Sequence, residues 1–186
     1  MKGLHTSHER YGSLSWRRIL SPAIKLAREG FIVEKTLAQF IKNRSTIIAG
    51  ETNFSRYFGH AQFGMLFKQP ELANTLSQIA ADPNDFYKGS IAKKIVSQME
   101  RSGGLIALED LANYRAVWRK PIKTEWREML LVTAPPPSSG GIALVQLLKM
   151  WDLVKNSDGL APLNSAEHIH LMSEISKRVF ADRAEY

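Results

Sequence analysis

The chain has 186 residues and no cysteine, and its 25 lysine and arginine residues against 18 aspartate and glutamate residues give a net charge of +7. This length suits one domain, and 44% hydrophobic with 23% charged residues is an ordinary globular composition. Without cysteine, disulfide frameworks, cysteine nucleophiles and cysteine metal sites are excluded. No apolar run approaches the roughly 20 residues of a membrane-spanning helix, and residues 1–5 carry no apolar signal segment.

The basic residues are dispersed along the chain. They fall in small groups with acidic neighbours, and no basic run alternates with aromatic residues as a nucleic-acid stacking surface would. The charge therefore predicts a solvated surface. We expect neither nucleic acid nor a membrane span among the features of this protein.

Residues typical of helix starts and ends divide the first half of the chain. Ser21 and Pro22 are typical of an N-cap and a first helical residue, and Gly30 is placed to end that helix with a positive φ. Helical spacing predicts a second helix before Gly50, followed by a loop or short helical turn over 50–64. Further helices are predicted from Pro70 to Asp82 and Pro83, from an N-cap at Ser90 to Gly103 and Gly104, and over 108–114.

The second half contains the one predicted hairpin. Residues 122–132 favour strand and a turn near Arg127 and Glu128. A helix is predicted to open within residues 138–141, followed by a break over 156–162 and a last helix capped by Ser165. No repeat or linker divides the sequence, so the pattern predicts a single helix-rich α+β domain over 1–186.

The candidate ligand-facing segment is residues 135–141. Three prolines stiffen the chain, and Ser138, Ser139, Gly140 and Gly141 then open a helix whose N-terminus could hold an anion. The segment lacks the Gly-Lys-Ser/Thr ending of a P-loop and the Gly-x-Ser-x-Gly of a nucleophile elbow. Spacing alone leaves two interpretations open, a rigid structural turn and a ligand-facing loop.

The histidines lack the spacing of a metal site. His5 and His8 lie in the N-terminal segment, for which we predict no fixed element. His168 and His170 are two residues apart and would point to different sides of a helix. We therefore predict surface or partner-facing histidines and no metal site.

The acidic residues favour structural roles. Glu109 and Asp110 begin a short helix, where carboxylates complement the helix dipole, so capping is favoured over acid–base catalysis. A charge network that closes the last helix onto a neighbouring element is expected from Glu174, Lys177, Asp182 and Arg183.

An ordered series of short motifs runs through nearly the whole chain, at residues 11–16, 22–27, 30–31, 69–76, 85–92, 103–104, 109–114, 135–141 and 170–186. On these motifs, the chain resembles the large subunit of gamma-glutamyltransferase, a member of the N-terminal-nucleophile hydrolase superfamily. The Pro-Pro-Pro-Ser-Ser-Gly-Gly stretch at 135–141 is the most specific of them. The resemblance implies a partial αββα large-subunit lobe with one β-hairpin.

A reaction is implied as well. In this family a precursor cleaves itself and exposes a threonine at the N-terminus of a small subunit, and that hydroxyl attacks the γ-glutamyl amide of glutathione or a similar donor. The acyl group then passes to water or to an amino acid. No cofactor is implied. The implied partners are the earlier part of the large subunit and the small subunit of the same enzyme, with substrate bound only by the complete enzyme, and the implied location is periplasmic or secreted.

The resemblance places the catalytic groups outside these residues. The family's threonine lies in a Thr-Thr-His-type stretch after the Asp-Arg segment, and its substrate-binding arginine precedes Gly3. Thr6, Ser7 and His8 resemble that stretch only superficially, because they precede the Tyr11 motif. We therefore assign no catalytic residue and expect an inactive large-subunit fragment.

The alternative is a non-enzymatic binding module derived from the same helical lobe. A fragment would leave apolar helix faces exposed where the rest of the enzyme packs, whereas a module would have polar or covered faces. The residues that distinguish the two are Leu144, Leu148, Trp151, Ile169 and Met172.

Overall fold

The structure, a computed structural model, describes residues 1–48, 53–158 and 161–185. The chain forms two compact units, Met1–Val117 and Trp118–Tyr186, which we term unit 1 and unit 2. Because one domain can hold two such units, the single domain predicted over 1–186 stays a prediction. Every described helix and strand lies wholly within one unit.

Unit 1 is mainly helical. Its elements, in chain order, are α1 (Lys2–Tyr11), α2 (Trp16–Glu29), β1 (Phe31–Ile32), α3 (Lys35–Ile48), α4 (Phe54–Phe58), β2 (Leu66–Phe67), α5 (Pro70–Ala81), α6 (Asp85–Lys88), α7 (Ser90–Arg101) and α8 (Leu108–Asn113). The helices at α3, α5, α7 and α8 are those predicted, although the predicted end near Gly50 lies outside the described residues. The sequence did not predict α1, α6 or the antiparallel pair β1–β2, whose strands have two residues each.

The core of unit 1 has two parts. Helix α2 packs along α5, and the Trp16 indole N–H donates to the Ile79 carbonyl at 3.0 Å. Beside β1–β2, the buried side chains of Val33, Ile41 and Phe67 form a cluster with Ala61. Burying these side chains stabilises the unit by roughly 1.5–3 kcal/mol for each large aliphatic or aromatic group.

The predicted start of α2 at Ser21 and Pro22 was wrong. The helix begins at Trp16, with the Ser15 side chain accepting the Arg18 N–H at 3.4 Å, and Pro22 lies inside it. Proline cannot donate to the carbonyl four residues earlier. The Ser21 hydroxyl donates to that Arg18 carbonyl at 2.8 Å instead, which explains why the proline is tolerated. Gly30 ends the helix with φ of +88°, as predicted.

The predicted N-cap at Ser90 was also wrong. Ser90 is the first residue of α7, and the capping group is the Asp85 carboxylate. It accepts from the Ser90 N–H at 2.8 Å, the Ile91 N–H at 3.1 Å and the Ser90 hydroxyl at 3.0 Å. A carboxylate at a helix N-terminus satisfies otherwise unpaired N–H groups and complements the dipole.

Unit 2 consists of β3 (Ile122–Trp126), β4 (Met129–Thr133), α9 (Ser139–Asp158) and α10 (Ala166–Glu185). The hairpin is confirmed, with Thr124 opposite Leu131 and Arg127 at φ of +55° in the turn. Helix α9 begins at Ser139, within 138–141 as predicted. It continues through Asp158, so the predicted break at 156 is too early, while residues 159–160 lie outside the described part. The Ser165 hydroxyl accepts the His168 N–H at 3.1 Å, which confirms the predicted cap.

Candidate functional site

The turn between β4 and α9 is fixed by its own backbone. Proline has no N–H to continue a strand ladder, and three prolines at 135–137 follow the end of β4 at Thr133. The bond between Pro136 and Pro137 is cis. The Ser138 N–H donates to the Pro135 carbonyl at 3.1 Å. Helix α9 starts at the next residue, so the predicted segment joins a strand directly to a helix.

The two glycines of this turn differ. A Cβ on Gly141 would lie 2.1 Å from the Ala134 carbonyl oxygen and 3.0 Å from the Thr133 side chain. A Cβ on Gly140 would meet only the Ser138 hydroxyl, at 3.8 Å. Gly141 is therefore required for the close approach of α9 to the end of β4, whereas Gly140 has room for a side chain.

Two side chains from the last turn of α10 reach α9. The Arg183 Nε donates to the Ser139 hydroxyl at 2.8 Å. One α9 residue, Gln146, donates from its amide nitrogen to the Asp182 carboxylate, also at 2.8 Å. Asp182 and Arg183 therefore contact α9 as expected, although their partners there are neutral, and Glu174 and Lys177 pair within α10.

A cavity of about 630 Å³ lies between these groups. Of the four predicted loop residues, Ser138 and Ser139 line it, and Gly140 and Gly141 do not. Gln146 lines the cavity but was missed from the sequence. Its spacing of seven residues from Ser139 puts both on one face of α9 and was the available signal. The ligand-facing interpretation of residues 138–141 stays a prediction.

Ser139 is held rather than activated. The Ser139 hydroxyl accepts a hydrogen bond from the Arg183 guanidinium. A guanidinium only donates hydrogen bonds and cannot take a proton from the serine. A nucleophilic serine needs a base within hydrogen-bond reach. Among the described residues, no hydrogen bond joins either turn serine to a histidine or a carboxylate.

The N-terminal histidines are packed rather than free at the surface, which corrects the prediction made for them. His5 and His8 both lie on α1 and are half-buried, with ring centroids 5.0 and 5.2 Å from that of Trp16. The His8 Nε2 donates to the Leu14 carbonyl at 2.7 Å. Further along the chain, the His168 ring lies edge-on to Trp151 at 5.2 Å. In the three described ranges, no group of three His, Cys, Asp or Glu side chains is placed to hold a metal ion.

Three carboxyl groups have lowered pKa values, each with a structural cause. Hydrogen bonds from the Ser90 N–H and then the Ile91 N–H lower the pKa of Asp85. The backbone N–H of Glu167 and the Ser165 hydroxyl lower the pKa of Glu167. The Lys177 ammonium, followed by Arg178, lowers the pKa of Glu174. Lowered values keep these groups ionised, which suits caps and ion pairs but not a general acid.

Of the two acidic residues predicted to cap α8, Asp110 does so. The Asp110 carboxylate accepts the Ala107 N–H at 2.8 Å at the start of α8.

Within the described part of the chain, no helix is both long and apolar enough to cross a bilayer.

Sequence comparison identifies relatives over the whole chain. The gamma-glutamyltranspeptidase family profile matches residues 1–186. The glutathione hydrolase proenzyme of Pseudomonas aeruginosa is 47% identical over 185 residues, which covers 99% of this chain and 33% of that protein. The glutathione hydrolase proenzyme of Escherichia coli is 38% identical over 193 residues, which covers 99% of this chain and 32% of that protein. The chain thus spans about a third of the length of these relatives.

Structural comparison agrees. The gamma-glutamyltranspeptidase of Pseudomonas nitroreducens, solved in complex with L-DON, superposes with a TM-score of 0.93 at 48% identity, over 100% of this chain and 56% of that chain. The helix-rich α+β arrangement with the β3–β4 hairpin is accordingly part of an N-terminal-nucleophile hydrolase fold, as predicted. The chain belongs to the gamma-glutamyltranspeptidase family.

Proposed function

We propose that this chain is the later part of the large subunit of a gamma-glutamyltransferase, an enzyme that hydrolyses or transfers the γ-glutamyl group of glutathione and related donors. The observation that carries the proposal is the coverage: 99% of this chain matches, yet it accounts for 33% of the Pseudomonas aeruginosa proenzyme. The partners are then the earlier part of the large subunit and the small subunit of the same enzyme.

In this proposal the chain acts as scaffold. The bond-breaking threonine follows the Asp182 and Arg183 segment in the complete polypeptide, and its hydroxyl forms an ester with the γ-glutamyl carbonyl carbon as the donor amine leaves with a proton. Water or an amino acid then takes the acyl group. Support comes from the turn serines, of which Ser139 is bound to a guanidinium and neither is hydrogen-bonded to a base among the described residues. The chain alone is therefore inactive.

Exposed apolar side chains favour the fragment over a self-contained binding module. On unit 2, Ile169 is 58% exposed, Leu144 is 39% exposed, and Leu148, Trp151 and Met172 are half-buried. The hairpin adds Leu130, which is 63% exposed. Exposed apolar residues in this density are typical of a surface that another part of a protein covers.

The purified chain should not hydrolyse a chromogenic γ-glutamyl anilide. The matched positive is a chimera in which these 186 residues replace the corresponding segment of the Pseudomonas aeruginosa proenzyme, and we expect it to mature and to hydrolyse the same anilide. Turnover by the chain alone that survives purification and is lost on mutating one of its own residues would contradict the proposal.

The gene itself offers a second test. Sequencing downstream of the Tyr186 codon should reveal a Thr-Thr-His-type stretch in the same reading frame. A stop codon there would favour the binding module instead, if the chain is also soluble and its apolar helix face binds a partner other than the rest of this enzyme.

A further inference from the structure

The last turn of α10 is tied to the first two turns of α9 by a pair of hydrogen bonds, which we term the clamp. The clamp consists of Arg183 Nε to the Ser139 hydroxyl and the Gln146 amide to the Asp182 carboxylate, both at 2.8 Å. The two α9 residues are seven apart, so that helix presents both on one side, and the two α10 residues are neighbours in its last turn.

The α9 side of the clamp is firmly anchored. Ser139 directly follows the turn closed by the Ser138 N–H and the Pro135 carbonyl, which are 3.1 Å apart. Two residues later, Gly141 lies too close to the Ala134 carbonyl for any side chain. The clamp therefore connects the end of α10 to the end of β4 through a segment with little freedom to move.

The α10 side is chemically unusual for a helix end. A carboxylate in the last turn faces the negative end of the helix dipole and is disfavoured there. Asp182 nevertheless occupies this turn, where its carboxylate accepts a hydrogen bond from the Gln146 amide nitrogen. Both α10 side chains are exposed, so burial does not fix them, and the contacts with α9 are what order them.

We propose that the clamp is a positioning device for self-cleavage, setting the direction in which the polypeptide leaves α10. This inference rests on the proposed function, in which the threonine lies downstream of Arg183. The net step is hydrolysis: water adds across the peptide bond before that threonine, giving a carboxylate on the large subunit and a free amine on the small subunit. Ser139, Gln146, Asp182 and Arg183 touch no reacting atom and act through the placement of the chain.

The test uses the chimeric proenzyme described above. Ser139→Ala and Arg183→Ala should each slow the conversion of precursor to subunits at least ten-fold. Gel electrophoresis of samples taken after protein synthesis is stopped measures this rate. Because both variants lose the same hydrogen bond, the double variant should be no slower than the slower single variant. Ser139→Thr keeps a hydroxyl and should restore conversion to within two-fold.

The matched control is Arg178→Ala on the same helix. Arg178 is exposed and pairs with Glu174 one turn earlier, at 3.3 Å, so its loss should leave conversion within two-fold. The melting temperature of each unprocessed variant and the KM of whatever enzyme matures should stay unchanged, since neither depends on the rate of cleavage. A shift in melting temperature that tracks conversion across all variants would assign the clamp to stability and overturn the proposal.

Hydrogen exchange on the isolated chain tests the clamp itself. Arg183→Ala should raise the exchange of the amides of residues 180–185 about ten-fold, and Arg178→Ala should not. Equal exchange in the two variants, or normal conversion of the Ser139→Ala and Arg183→Ala chimeras, would overturn this inference alone. A soluble unmutated chimera that neither matures nor hydrolyses the anilide would overturn the proposed function, and this inference with it.

Discussion

Unit 1 and unit 2 differ in how much core they contain. Of the fourteen apolar side chains that are buried in the described part of the chain, twelve lie in unit 1 and two, Ile175 and Val179, lie in unit 2. Unit 2 nevertheless contains the two longest described helices, of 20 residues each. Regular backbone structure therefore does not by itself provide a core, because helix stability in proteins comes mainly from packing of an apolar face.

The difference in burial has a consequence for what each unit contributes. Unit 1 packs α2 on α5 and closes a cluster around Phe67. Unit 2 joins β4 to α9 through the tight turn at Gly141, while leaving Met129, Leu130 and Leu153 more than half exposed. Substitutions that alter packing, backbone fit, helix hydrogen bonding and charge should therefore differ in their effect on stability, in that decreasing order.

The largest effect is expected in the core of unit 1. Phe67 is 3% exposed, and its ring lies within 6 Å of the rings of Phe31, Phe58 and His60. Phe67→Ala should lower the free energy of unfolding by about 3–5 kcal/mol, measured by urea denaturation. Ile175→Ala in the sparse core of unit 2 should fall near 2 kcal/mol, the low end for its type. Equal losses would mean that the two cores are equally well packed.

Backbone fit in unit 2 is tested by Gly140 and Gly141. Gly141→Ala forces a Cβ to within 2.1 Å of a backbone oxygen, and relieving such a clash costs about 1–3 kcal/mol. Gly140→Ala meets nothing closer than 3.8 Å in the first turn of a helix, and should be neutral or stabilise by up to about 1 kcal/mol. Thermal denaturation followed by circular dichroism measures both, and a Gly141→Ala variant as stable as the wild type would show that β4 and α9 are not in close contact.

A gain is expected from Pro22→Ala in α2. Alanine restores the N–H that Pro22 lacks and lets it bond the Arg18 carbonyl, now served by the Ser21 hydroxyl. Pro22 is exposed, so no packing is lost, and we expect about 1 kcal/mol of added stability in urea denaturation. Ser21→Ala in the wild-type background should instead destabilise, whereas in the Pro22→Ala background it should be nearly neutral. Destabilisation by both single changes would contradict the placement of Pro22 inside the helix.

The smallest effect is electrostatic and depends on pH. The Ser90 N–H holds the pKa of Asp85 below its ordinary value of 3.8, so the ionised carboxylate favours the folded state. That contribution is complete above about pH 4 and is lost as pH falls through the lower folded-state value. Asp85→Asn should therefore lower the melting temperature near pH 6 but have little effect near pH 2. A difference that persists unchanged at the lower pH would show that charge at this cap is unimportant.

Local signals in the sequence predicted the elements that depend on few residues. The Pro70 start, the positive φ at Gly30, the hairpin turn at Arg127 and the Ser165 cap are decided within about four residues, by backbone geometry and nearby N–H groups. The ordered motifs likewise identified the family, since they are properties of sequence order alone. These predictions needed no knowledge of what packs against what.

The structure decided which of several nearby polar groups fills a role, and which distant elements pair. Ser21 was available as a cap, but its hydroxyl is used on the Arg18 carbonyl, and Ser90 was displaced as a cap by the Asp85 carboxylate five residues earlier. The pairing of β1 with β2 and the partnership of Gln146 with Asp182 join residues more than 30 positions apart. Such contacts depend on which surfaces meet in three dimensions, and no local pattern in the chain encodes that.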